Sequence, residues 1–285
     1  MRPDKLPADE QVGTRFDALV FDCDGVYAKN SENIAFEVVA EHVNRFIEVR
    51  GAGMEYDPVQ MMRDYAGKHF THIQDGVEED TGIRIPDSMD GEITTDIVKK
   101  LKTNTKTDPA LRSLIKTFEQ GGSAIGMASS SAHARLDAVI HATGTRHILD
   151  RKRFDNVVSA ADDCDAPKPD PASYLLIAEK LGVDPNRCLT IEDSTSGVKS
   201  GVAAGLTVVG YLGADHIDPA QKEAHGKKLM DAGATVLVDS MQEIIDLKPQ
   251  LEQALTEKLA QNPGLTQTRN IGGAAPTAQP PAPAA

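Results

Sequence analysis

Phe16-Asp17-Ala18-Leu19-Val20-Phe21-Asp22-Cys23-Asp24-Gly25 begins as an apolar run and ends on two carboxylates one residue apart. A short apolar segment that stops abruptly at polar residues reads as a buried strand entering a loop. In open parallel sheets, ligands bind beyond the carboxyl ends of the strands. Asp22 and Asp24 therefore mark the edge at which chemistry is expected, and the rest of the chain is read outward from them.

From Ser31 the rhythm becomes helical. Val39, Val43, Phe46 and Ile47 recur at helix spacing, with Ser31 as a cap and Gly51 as a stop. Helical material continues to about Leu101, punctuated by Gly53, Pro58, Gly67, Gly82, Pro86 and Gly91, and no strand pattern interrupts it. Residues 31–102 thus read as an all-α insertion, with Met61 and Met62 in its core.

Beyond the insertion, strand and helix alternate. Asp108–Phe118 reads as a helix and Ala124–Ala128 as a strand that runs into Ser129, Ser130 and Ser131. Ala132–Thr143 is helical, and Asn156–Ser159 is a short strand. A helix opened by Asp170 and Pro171 carries Tyr174, Ile177, Ala178 and Leu181 before stopping at Gly182. Cys188–Ile191 is a strand that meets Glu192-Asp193-Ser194, and Leu206–Tyr211 and Ala234–Val238 follow as strands. The expected fold is α/β: a Rossmann-like parallel sheet with helices on both faces plus the inserted helical domain. Its core spans residues 14–30 and 103–261, and the Pro- and Ala-rich residues 262–285 read as a disordered tail.

Composition narrows the function. The 285 residues carry a formal net charge of −13, contain no Trp and are 4% aromatic. Such a chain repels nucleic acid and anionic membranes and has few platforms for stacking bases. Cys23, Cys164 and Cys188 fit neither a zinc pattern nor a disulfide framework. Met1–Gly13 has no signal-like apolar stretch, and no apolar run reaches about 18 residues. A cytoplasmic, monomeric protein is expected.

Several strand ends converge on one chemistry. Asp22, Asp24, Glu192 and Asp193 repel one another unless a cation sits among them, and hard oxygen ligands suit Mg²⁺. A carboxylate can attack phosphorus to give an aspartyl-phosphate. Lys168 and Ser129 are suited to hold equatorial phosphoryl oxygens, and Asp24 is suited to general acid/base work.

At these residues the chain resembles the haloacid dehalogenase-like superfamily, in particular the branch of β-phosphoglucomutase and the small sugar-phosphate phosphatases. Val20-Phe21-Asp22-Cys23-Asp24-Gly25-Val26 is similar to its first motif and Gly126–Ser131 to its second. Lys168-Pro169-Asp170-Pro171 is similar to the third. Ile191-Glu192-Asp193-Ser194, continuing through Gly197, Gly201 and Ala204-Gly205, is similar to the fourth. The resemblance implies Asp22 as nucleophile and Asp24 as acid/base. It implies Mg²⁺ held by Asp22, the Asp24 carbonyl and the pair Glu192/Asp193, with the phosphoryl group on Ser129 and Lys168. The helical insertion would be a mobile cap, from which Lys68 or His69 would meet the rest of a small phosphorylated metabolite; Ser130 is a second substrate-binding candidate.

Departures from the family pattern refine this. Lys29-Asn30-Ser31-Glu32 stands where many relatives have an acidic residue before Ser or Thr. Ile34 and Lys68-His69-Phe70 stand where the mutases carry a His and an Arg. Both favour a phosphatase over a phosphosugar mutase, and Asp24 argues against a dehalogenase. Lys68 leaves a phosphonate-cleaving Schiff base open, and a catalytically silent binding protein is the alternative outside enzymes. Cys23 reads as a small buried spacer, Gly197 and Gly201 as helix–sheet packing, and Asp162, Asp163 and Asp165 as a solvated turn.

Overall fold

The computed structural model describes residues 14–66 and 68–262. The expected disordered tail beyond Asn262 lies outside the described residues, as do Met1–Gly13. Six strands form one sheet: β1 (Ala18–Phe21), β2 (Ala124–Ser129), β3 (Val157–Ser159), β4 (Cys188–Glu192), β5 (Thr207–Tyr211) and β6 (Val236–Val238). All neighbours are parallel, in the order β3-β2-β1-β4-β5-β6. β1 is central, and Phe21 pairs with Met127 on one side and Ile191 on the other. Asp22 therefore leaves the sheet between the ends of β2 and β4.

The alternation along β1 divides the core in two. Leu19 and Phe21 join the large cluster under α5 (Leu111–Gln120) and α11 (Met241–Gln261). Ala18 and Val20 point to the opposite face, with Tyr174, Ile177 and Ala178 of α8 (Ala172–Leu181). Leu19 and Phe21 are fully buried, and burying a side chain of that size contributes about 1.5–3 kcal/mol. α9 (Thr195–Ala203) lies against β5; a Cβ on its Gly201 would meet Val208 at 2.9 Å and Thr190 at 3.1 Å, so that glycine serves helix–sheet packing.

The insertion is all helical: α1 (Ser31–Glu48), α2 (Pro58–Tyr65), α3 (Phe70–Thr81) and α4 (Ser88–Asn104). Asp57 caps α2 by accepting from the Gln60 amide at 2.9 Å, and Pro58 supplies the first turn. Met61 and Met62 are buried in its core, as the pattern predicts. α1 packs on α2 and α4, and α4 in turn rests on α6 (His133–Ala142) of the sheet domain.

Three local expectations change. Ser31 is the first residue of α1 rather than its cap; its hydroxyl donates back to the Ala28 carbonyl at 3.0 Å. The helix expected from Asp108 begins at Leu111, because the buried Asp108 carboxylate is used elsewhere. It accepts from the Ala110 amide (2.8 Å), the Tyr211 hydroxyl (2.9 Å) and the Met241 amide (3.1 Å), joining β5 to α11. The acidic turn is exposed but not merely solvated, since α7 (Ala160–Asp163) ties it down. Asp162 accepts from the His133 amide at 2.6 Å, and Asp163 from the Ser159 amide at 2.9 Å. Two helices lie where the sequence pattern names none: α10 (Lys222–Asp231) and α11, whose stripe of Ile244, Leu251, Leu255 and Leu259 is buried.

The two linkers of the insertion are joined by one side chain. Asn30 donates to the Asn104 carbonyl at 2.9 Å and accepts from the Lys106 amide at 2.7 Å, beside a backbone bond from Lys29 to Lys106 at 2.9 Å. An amide can donate and accept at once, which a carboxylate cannot do. Asn30→Asp should therefore keep one bond, turn a carboxylate toward the Asn104 carbonyl, and cost about 1–3 kcal/mol. Urea unfolding would measure the loss, and hydrogen exchange should accelerate at the Lys29 amide, which bonds the Lys106 carbonyl across the same joint, while the Lys106 amide keeps its acceptor.

Candidate active site

The loop after β1 curls tightly, with the Tyr27 amide donating to the Asp22 carbonyl (3.3 Å) and the Gly25 amide to Ala28 (2.9 Å). Gly25 adopts φ +79°, and a Cβ there would collide with the Asp193 carboxylate. Glycine is required for its conformation and for that approach. Gly197 plays a similar steric part: a Cβ would occupy the space of the Glu192 carboxylate. This role is more specific than the packing expected for it.

Asp22, Glu192 and Asp193 are buried and bring ligand oxygens within 4.8 Å of one another. Lys168 lies among them. Its ammonium donates to Asp22 Oδ1 (2.7 Å), Glu192 Oε1 (2.6 Å) and the Ala128 carbonyl (3.0 Å). The Tyr174 hydroxyl donates to the same Glu192 oxygen at 2.5 Å and accepts from Thr190 at 3.1 Å. Ser194 bonds the other Glu192 oxygen at 3.2 Å and caps α9. Asp193 differs: its Oδ2 is buried with no hydrogen-bond partner among the described residues.

Burial, followed by the charges of Asp22 and Glu192, pushes Asp193 well above the ordinary carboxylate range. Burial likewise raises Asp22 to about 8, with Lys168 opposing and Glu192 and Asp24 reinforcing the rise. Lys168 is held well above its usual value because Asp22 and Glu192 outweigh its desolvation. A buried anion set with an orphaned oxygen fits a hard divalent cation. Asp22, Asp193 and Glu192 are the side chains able to hold Mg²⁺ here.

Asp24 sits apart from this cluster. Its carboxylate accepts from the Ser131 hydroxyl and from Arg135 at 3.1 Å. Burial opposes its ionisation, but Arg135 and Ser131 prevail and hold it below its ordinary value. As a metal ligand it could offer only its main-chain carbonyl, the role the resemblance implies. Ser129 is buried at the end of β2, its hydroxyl accepting from the Ser131 amide at 3.1 Å, while Ser130 is exposed. Lys68 is exposed between α2 and α3, its ammonium 5.7 Å from the Tyr65 ring centroid, and no hydrogen bond ties it to the acidic cluster.

Four contributors lie outside the sequence motifs. Tyr174 reads as part of a helix stripe, Arg135 as an ordinary helical residue, and His216 and His225 carry no motif. His225 donates to the Asp193 carbonyl at 2.7 Å, and His216 Nε2 lies 3.6 Å from Asp193 Oδ2. Burial and His225 push His216 down to about 4, so it is neutral near pH 7. Both histidines line a cleft of about 360 Å³ with Arg63 of α2 and with Asp218, which pairs with Arg63 at 3.2 Å.

The haloacid dehalogenase-like hydrolase family profile matches residues 16–205. The chain belongs to this family. Among its relatives, the fructose-1-phosphate phosphatase YqaB of Escherichia coli is 27% identical over 197 residues, 68% of this chain and 96% of its own. A conserved haloacid dehalogenase-like protein of Agrobacterium tumefaciens superposes with TM-score 0.65 at 28% identity, covering 85% of this chain and 99% of the other. β-Phosphoglucomutase of Clostridium difficile shares the fold at TM-score 0.63 and 19% identity, covering 86% and 99%. The sheet order and inserted helices are those of a haloacid dehalogenase-like hydrolase, as the motifs imply.

The raised carboxylates set the sign of a pH response. A carboxyl whose folded pKa exceeds its unfolded value destabilises the fold as pH rises from the unfolded toward the folded pKa. For Asp22 that interval runs from 3.8 to about 8. Metal-free protein should therefore lose stability between about pH 4 and about pH 8. Asp193→Asn should raise its melting temperature and flatten that loss. Mg²⁺ at about 100 times its dissociation constant should stabilise the wild type by about 2.7 kcal/mol and leave Asp193→Asn nearly unmoved; calorimetry checks both.

Proposed function

We propose that this hydrolase is a Mg²⁺-dependent phosphatase of a small phosphomonoester, a sugar phosphate. The observation that carries the reading is the ammonium of Lys168 between Asp22 and Glu192, beside an Asp193 oxygen that has no partner. Phosphatase relatives such as YqaB, which this chain matches over 96% of YqaB's length, support the substrate class.

In the first half-reaction an Asp22 oxygen attacks phosphorus in line. The Asp22–O–P bond forms, the ester P–O bond breaks, and Asp24, in its protonated form, gives its proton to the departing alcohol oxygen. In the second, water attacks phosphorus, Asp24 takes its proton, and the Asp22–O–P bond breaks to release phosphate. Lys168 offsets negative charge throughout, and Ser129, with Ser130 at its side, would donate to the phosphoryl oxygens. Mg²⁺, held by Asp22, Asp193, the Asp24 carbonyl and Glu192, would supply charge neutralisation between carboxylate and phosphate. Lys68, on the insertion, would address the sugar.

Ile34 and Lys68-His69-Phe70 support hydrolysis over the mutase reaction, because they stand where mutases carry His and Arg. Purified protein given Mg²⁺ and a panel of phosphate esters should release phosphate. Asp22→Asn should reduce the rate by at least about 10³-fold while keeping its circular dichroism spectrum. Chelation should stop turnover and added Mg²⁺ restore it. Absence of phosphate release from every ester would sink the reading, and interconversion of hexose phosphates primed by a bisphosphate would replace it with a mutase.

A further inference from the structure

The backbone of Asp193 runs past the end of its ladder. β4 stays paired with β5 as far as Glu192, opposite Gly210. One residue later the Asp193 carbonyl has passed the last rung, and no backbone amide among the described residues donates to it. Asp193 is buried, so its carbonyl needs a donor from elsewhere. The imidazole of His225 takes that place, its Nε2 lying 2.7 Å from the Asp193 oxygen. A carbonyl only accepts, so Nε2 carries the proton.

His225 is mounted rigidly. It lies in the first half of α10, and Leu229, one turn further on the same face, is fully buried among Val198, Val208 and Ala234. A Cβ on the adjacent Gly226 would come within 2.9 Å of Leu237, so the helix lies close against β6. The carboxylate of Asp193 has no comparable support. Lys168, Tyr174 and Ser194 bond the neighbouring Glu192 carboxylate, whereas Asp193 Oδ2 has no hydrogen-bond partner among the described residues. His216 Nε2, at 3.6 Å, is too far to bond it. The polar contact that fixes Asp193 therefore acts on its main chain, and it comes from His225.

We propose that His225 is a positioning residue for the metal site: by holding the Asp193 carbonyl it keeps the Asp193 carboxylate beside Asp22 and Glu192, where a divalent cation would bind. The proposal rests on the reading of those three carboxylates as a Mg²⁺ set. Without the imidazole donor the Asp193 carbonyl turns toward another partner, the peptide rotates, and the carboxylate is carried with it. Groups that orient a ligand without touching the ion change metal affinity by about 10–100-fold. His225 lies beyond residue 205, where the match to the family profile ends, so the support reaches the cluster from outside the matched segment.

Titration calorimetry of the full-length protein with Mg²⁺ near neutral pH tests this without turnover. His225→Asn places its amide where Nδ1 stands, short of the carbonyl, and should weaken Mg²⁺ binding about tenfold or more. His225→Ala should match it. His225→Gln brings an amide N–H to the position of Nε2 and should bind within about threefold of the wild type. Should His225→Ala not fold, the Asn and Gln variants carry the comparison. Asp184 caps the turn before β4, at the opposite end of the same strand. Asp184→Ala should lower the melting temperature yet leave Mg²⁺ affinity within about twofold, which separates the effect of His225 from a general loss of stability. Wild-type affinity in folded His225→Asn overturns the assignment of His225 alone. So does a loss in His225→Gln or Asp184→Ala as large as that in His225→Asn. A wild type that binds no Mg²⁺ overturns it together with the metal reading.

Discussion

Three carboxylates taken out of water at the end of a parallel sheet repel one another, and the surrounding structure answers that repulsion. Lys168 offsets part of it by bonding Asp22 and Glu192 together. Tyr174, its hydroxyl in turn accepting from Thr190, and Ser194 bond the Glu192 oxygens as well. Gly25 and Gly197 keep side-chain atoms out of the space that Asp193 and Glu192 occupy. What is left over is an oxygen of Asp193 without a partner, and a cation is the physical remedy for it. The uncompensated repulsion costs the fold stability and makes the cluster a fitting place for a divalent cation.

The order of β4, β1 and β2 in the sheet turns a linear arrangement into a site. Phe21 is flanked by Met127 and Ile191, so residues from three distant parts of the chain emerge side by side. That much was legible in sequence, because an apolar strand followed at once by Asp, Ser or Glu announces its own end. The Rossmann-like sheet and the helical insertion were legible for the same reason: period and punctuation are local. Met61, Met62 and Cys23 were also placed by pattern alone, and all three are buried.

What escaped is what depends on contacts across the fold. Arg135 meets Asp24 across 111 positions, and nothing near Arg135 in sequence signals a carboxylate. Ser131 resembles a helix cap, yet its hydroxyl serves Asp24. Tyr174 fits an apolar helical stripe, while its hydroxyl is committed to Glu192. Asp108 looked like a helix start because Asp is common there, but three donors from separate segments claim it. α11 has a readable stripe, although Pro249 inside it counts against a continuous helix when only local pattern is weighed.

The clasp made by Asn30 has a consequence for how such a protein can vary. Because one amide fastens the outgoing and returning linkers together, the helical segment enters and leaves the sheet domain at essentially one place. A segment attached in this way can lengthen, shorten or be exchanged with little effect on the spacing of the strands beneath it. The exposed surface of the insertion can then change while the carboxylate end of the sheet stays fixed.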